Sequence, residues 1–146
     1  MKSAIRWMLC VAVALASVGS HADESADVST GDARAIRAVI EAQLKAIGAD
    51  DAVLAFSYAS PSIRMQFGDA PTFMTMVREG YPMLIRPTAT VFLRPDPAEQ
   101  GVMQQVHLRD RDGRSWLATY HVQRQPDKNW LINGCVVEPD EGDSLI

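Results

Sequence analysis

Two of the three histidines, the three tyrosines, an arginine inside a serine-rich stretch and one of the two cysteines, far from any cation, are the residues here that could do chemistry. Metal binding is the first option, since His107 and His121 fall on predicted strands with the same facing. In the register the turns impose, His107 lies opposite Leu117, and His121 is four residues further along that strand, roughly 13 Å at a rise of about 3.3 Å per residue. Ligands of one zinc ion sit about 2.0 to 2.1 Å from it, so the two histidines cannot share a metal within one chain. No CxxC or HExxH spacing offers another set, and no metal or cofactor is expected. Nucleophilic catalysis needs a serine or cysteine beside a base. GxSxG is absent, and so is a phosphate loop. Cys135 has no cation adjacent in sequence to lower its pKa, and reads as a structural or interface residue on the outer sheet face.

What remains is a pocket. Tyr58, Tyr81, Trp116 and Tyr120 could line a cavity between helices and sheet, with polar tips toward a ligand. Met65, Met74, Met76 and Met83 would form an adaptable wall. The competing reading is that these side chains fill the core, as a small domain requires. Arg64 has two directions open to it: outward with its stem on apolar surface, or inward as a partner for a carboxylate or phosphate.

The elements that must position these residues follow from periodicity. Thr30 or Asp32 can cap a helix in which Ile36, Val39, Ile40, Leu44 and Ile47 form one stripe, ended by Gly48. Asp50 offers the next cap, opening a helix that is apolar on most sides. In AFSYASPSIRMQFG, Ser60 caps a short new helix, Pro61 sits in its first turn and Gly68 ends it. A further helix opens at Ala70-Pro71-Thr72 and stops at Gly80.

Beyond Gly80 the period changes to that of strands, at 89–94, 102–108, 115–123 and 130–137. Asp110-Arg111-Asp112-Gly113 closes a hairpin that sets Leu108 against Trp116 and Val106 against Ala118. The 125–129 turn sets Val122 against Ile132 and Tyr120 against Gly134. Val136 then faces the helices, while His107, Leu117, His121, Leu131 and Cys135 share the outer face, a candidate homodimer surface or an ordinary outer face with scattered apolar residues. The expected fold class is α+β, N-terminal helices packed on a curved four-stranded antiparallel sheet.

Bulk properties set the boundaries. Lys2 and Arg6 precede an uncharged run from Trp7 to Ser20, with small residues at Ser20 and Ala22, the layout of a signal peptide cleaved after Ala22. The run is shorter than the roughly 20 residues of a membrane span, so no stable anchor is expected after cleavage, and the protein is expected to be exported, periplasmic or secreted. Residues 23–29 read as a flexible linker, 30–138 as one domain and 139–146 as a frayed acidic tail. Loss of Lys2 and Arg6 makes the mature chain two units more negative than the full chain's −4, which leaves no footprint for nucleic acid. Cys10 departs with the leader, so Cys135 has no intramolecular disulfide partner.

The helix and strand order, with DDAVLAFSYASPSIRMQFG, TFMTMVREGY, QQVHLRDRDGRSWLATYHVQRQ and WLINGC, resembles the bacterial family called domain of unknown function 4864. That resemblance spans about Ala35 to Val137 and implies a nuclear-transport-factor-2-like, or cystatin-like, cone, with no activity attached. Ketosteroid-isomerase-like enzymes on such cones place a carboxylate base in the pocket. Here the helix-facing strand positions hold no Asp or Glu, and a His-Asp dehydratase plan fails because both histidines face away. The residues therefore favour a non-catalytic binding module for a small, partly apolar ligand or peptide. The alternatives are a structural protein that dimerises or docks through the outer face, and an isomerase-like or dehydratase-like enzyme.

Overall fold

A computed structural model describes residues 27–142. The expected leader and cleavage site lie outside the described residues. Helix α1 spans Thr30–Gly48, α2 Ala52–Ser57, α3 Pro61–Phe67 and α4 Ala70–Gly80, followed by a 3₁₀ turn at Pro82–Leu84. The strands are β1 (Ala89–Phe92), β2 (Asp96–Ala98), β3 (Gly101–Arg109), β4 (Ser115–Arg124) and β5 (Trp130–Pro139). This is an α+β domain, helices first and then a curved, open antiparallel sheet.

The caps differ from expectation at two helices. Ser29, not Thr30 or Asp32, caps α1: its hydroxyl oxygen accepts the Asp32 N–H at 3.1 Å, and it donates to the Asp32 carboxylate. Asp32 is thus the reciprocal partner three residues on. The preceding Val28 packs on the core, so the end of the expected linker is tied down. For α2 the cap is Asp51, which accepts the Leu54 N–H, because Asp50 is taken by a left-handed turn (φ 57°) and pairs with Arg78. The caps of α3 (Ser60) and α4 (Asp69) each accept an N–H three residues on, and Pro61 and Pro71 sit in the first turns.

The sheet order is β1-β3-β4-β5, with β2 also on β3. Five strands replace the expected four. β1 pairs with residues 106–109 of β3 and β2 with 101–103, so together they form one interrupted edge. Pro95 and Pro97 explain the interruption, since proline cannot donate to a ladder and is confined to edges. Buried Gln104 bridges the gap, donating from Nε2 to the carbonyls of Leu93 and Gln105.

The first hairpin has the expected register, Leu108 opposite Trp116 and Val106 opposite Ala118. The second begins as expected, Val122 opposite Ile132, and then shifts: His121 pairs with Gly134 and Tyr120 with Cys135. Asn133 is the extra residue of a β-bulge, and every position after it changes face. Cys135 and Val137 therefore pack inward on the core, while Val136 is 60% exposed. That reverses the expected facing of Cys135 and Val136.

Two clusters form the interior. Ile36, Ile40 and Leu44 of α1 pack on Val106, Leu108, Ala118, Tyr120, Val122 and Ile132 of the sheet. Ala46 and Ile47 join α2 and α4 through Ala55, Phe73, Met74 and Val77, with the Phe73 ring 5.5 Å from Phe56 and 5.8 Å from Phe67. Among the described residues, no helix is long and apolar enough to cross a membrane.

Candidate ligand cavity

Between the two clusters lies a cavity of about 370 Å³. Its floor is formed by Gln43 and Ile47 of α1, Val77 of α4, and Tyr120 and Ile132 of the sheet. Its rim includes exposed Gln66 and Val136. No lining side chain carries a formal charge at neutral pH. The wall is apolar with a few polar groups, as in small-molecule sites.

The bulge shapes one side. Asn133, held out of the ladder, accepts hydrogen bonds at Oδ1 from the hydroxyls of Ser60 (2.8 Å) and Ser62 (2.9 Å). Its Nδ2 donates to His121 Nδ1 at 3.2 Å, and His121 Nε2 donates to the Gln100 carbonyl, so the network assigns the ring proton to Nε2. The α2–α3 break is stitched to β5: Ile132 N–H donates to the Tyr58 carbonyl and the Ile132 carbonyl accepts from Ser60 N–H.

Tyr120 and Cys135 carry the cavity's polar chemistry. The Tyr120 ring is 1% exposed, and its hydroxyl is buried with no hydrogen-bond partner of full geometry among the described residues. The Cys135 thiol acts on it through charge and through a weak side-chain hydrogen bond that falls short of full hydrogen-bond geometry. Burial pushes the thiol up to about 12, slightly offset by the tyrosine, and burial above all holds the Tyr120 hydroxyl well above its usual range. Both groups are neutral at physiological pH, and a protonated thiol is a poor nucleophile. On the opposite wall, Gln43 donates from Nε2 to the Ala55 carbonyl at 3.2 Å.

Of the five residues expected to line a pocket, Tyr81 and Tyr120 are at the cavity and three are not. Tyr58 packs at the edge of the helical cluster, and Arg64 is exposed on α3. Trp116 sits at the far end of the sheet, where its Nε1 donates to Asp110 at 2.9 Å beside a separate open hollow near Met83. On the outer face are His107, Leu117, His121 and Leu131, all half-buried, whereas Cys135 has moved inside. His107 does not face an empty surface, because Asp140 of the expected frayed tail pairs with its Nδ1. Periodicity missed Gln43, Asn133 and Asp140. Only Asn133 had a local signal, the glycine beside it inside a strand pattern.

Taken together, a helical layer over an open antiparallel sheet with a largely apolar cavity between them defines a small α+β domain. The profile described as Domain of unknown function (DUF4864) matches residues 29–145, and the chain belongs to that family. Neither the curated proteins nor the solved structures give a match.

Proposed function

We propose that the protein is a non-catalytic binding module that holds a small, partly apolar molecule between its helices and the β4–β5 hairpin. One observation carries this reading: a cavity of about 370 Å³ between the two clusters, walled by apolar side chains with a few polar ones. A closed core would not leave such a space, since protein interiors are close-packed with few voids larger than a water molecule. The lining contains no Asp, Glu or His to act as a general base, which favours holding over turnover. The leader-like 1–22 segment supports an exported site of action, and N-terminal sequencing of the mature protein checks cleavage after Ala22.

Native mass spectrometry of the purified mature protein tests the reading. A retained small molecule, lost when the cavity is filled by Met76→Trp, supports it. A protein that is empty as purified and whose melting temperature responds to no member of a library of small apolar compounds overturns it.

A second reading, homodimerisation through the outer sheet face, is favoured by Val91 and Val136, apolar side chains 46% and 60% exposed. His121→Glu places a charge on that face and should dissociate such a dimer. A monomer in sedimentation velocity before substitution rules this reading out.

A further inference from the structure

Resting on the cavity reading above, we infer that what the site holds is a side chain of an extended peptide, a partner's strand that adds to the edge of β5, apolar where it meets the cavity and basic three residues earlier.

The sheet order leaves β5 outermost, beside β4. In an antiparallel ladder alternate residues bond the neighbouring strand, and those between them turn their backbone groups the other way. Two observations fix the phase along β5. Asp140 N–H donates to the Ser115 carbonyl of β4 at 3.0 Å, whereas the Ile132 N–H and carbonyl turn away from β4 to Tyr58 and Ser60. With the register beyond the bulge, Gly134, Val136 and Glu138 bond β4, while Cys135 and Val137 each turn an N–H and a carbonyl outward and Pro139 a carbonyl alone. Among the described residues, no backbone hydrogen bond reaches the outward groups of Cys135 and Val137. A row of donors and acceptors at that spacing is complementary to another extended backbone.

The cavity lies at the same edge. Successive side chains of a strand point to opposite faces, yet Gly134, Cys135 and Val136 all border it, so the space meets the strand from the side. Ile63, Gln66 and Phe67 of α3 stand across from them. A second copy of the chain is a poorer occupant than a free strand. The inward side chains that its own β5 would bring, Cys135 and Val137, already pack on that copy's core and would leave the cavity unfilled.

Residues directly opposite each other share a face. The peptide residue opposite Cys135 therefore points inward to the cavity, where no lining side chain is charged, and it is apolar. At about 30 Å³ per water-sized atom, a cavity of about 370 Å³ takes about a dozen non-hydrogen atoms, room for a phenylalanine or tryptophan side chain. The residue opposite Glu138 lies on the outer face, and exposed Glu138 and Glu141 make that end acidic, which favours a lysine or arginine. Antiparallel pairing puts the cation three residues before the apolar residue, and the ladder stops at Pro139, which has no N–H to offer.

The test titrates the capped peptide acetyl-Thr-Lys-Thr-Val-Phe-Ser-amide into the mature protein, followed by backbone amide NMR. It is expected to shift the Cys135 and Val137 signals together with those of Val77 and Tyr81 in the cavity wall. In this pairing the phenylalanine N–H faces β5 and the valine N–H faces away, so N-methylation should weaken binding about tenfold or more at phenylalanine and about twofold at most at valine. Aspartate in place of the phenylalanine should weaken it about tenfold or more, and Glu138→Lys in the protein about threefold. Equal losses at the two N-methyl positions, or aspartate bound as well as phenylalanine, overturn the inference. So does hydrogen-exchange protection of the Cys135 and Val137 amides that appears only in a dimer, which would give the edge to a second copy. If small apolar compounds raise the melting temperature but the peptide does not bind, the inference falls and the cavity reading stands. If neither binds, both fall.

Discussion

Tyr120 and Cys135 face each other across the β4–β5 ladder, one residue out of the register that the 125–129 turn alone would impose. That offset brings a thiol and a phenol together at the wall of an apolar cavity and keeps both protonated.

The pairing sets an alkaline limit on stability. In the unfolded chain the thiol ionises near pH 8.5, whereas in the folded chain it is pushed up to about 12. Between those values the unfolded state binds fewer protons, so stability falls as pH rises, with a limiting slope of about 1.4 kcal/mol per pH unit. Tyr120 adds to the fall above about pH 10. Urea unfolding at pH 8 and pH 10 should show the native protein losing more stability than Cys135→Ala. Parallel losses would mean that the thiol is not responsible.

Acid acts at the opposite end of the sheet. Desolvation raises the Asp110 carboxyl, but hydrogen bonds from the Trp116 indole and the Arg114 and Asp112 amides, with the Arg114 charge, hold it below the usual carboxylate range. With the folded value depressed, its contribution is complete above the unfolded value of about 3.9 and disappears as pH falls through the folded value. Asp110→Asn should flatten the acid limb of the stability profile, and the Trp116 fluorescence should report the same transition. An unchanged acid limb would place the titrating group elsewhere.

Removing the bulge residue's side chain should be costly. Asn133→Ala leaves the buried Ser60 hydroxyl and the His121 ring without their shared partner, a loss of about 1–3 kcal/mol by urea unfolding. Ser62→Ala removes an exposed partner of the same oxygen and should cost under about 1 kcal/mol. Equal costs would show that the network does not depend on the buried serine.

Gly101 is demanded by its neighbour across the sheet. Its φ is 104°, and a Cβ there would lie 2.2 Å from the Val122 carbonyl oxygen. Gly101→Ala should therefore lower stability by more than about 1 kcal/mol, read as a lower urea midpoint. By contrast, a Cβ at Gly80 meets nothing within 4 Å, and Gly80→Ala should change little.

Much of the fold was legible because local chemistry and tertiary packing agree. Ser60-Pro61 and Gly68 bound α3 as their types require, and the 110–113 turn sets the first hairpin in the register that its length implies. The cavity was only half legible, for a reason that lies in one residue. A bulge inverts every later facing, so the alternation that is correct up to Ile132 assigns Cys135 and Val136 to the wrong sides. Trp116 was misplaced for a different reason: it is on the inner face as expected, but beyond the reach of the helices that cover Tyr120. The Asp140 to His107 contact joins residues 33 apart across three strands, which no local pattern encodes.

The stitch between the α2–α3 break and β5 has a further consequence. Ala59 makes a one-residue parallel bridge to Ile132, taking that residue's outward N–H and carbonyl. An outermost strand with free backbone groups is a template on which another copy of the chain can add, the first step toward aggregation. By occupying those two groups just where β5 bulges, the helix break makes intermolecular strand addition at that point harder.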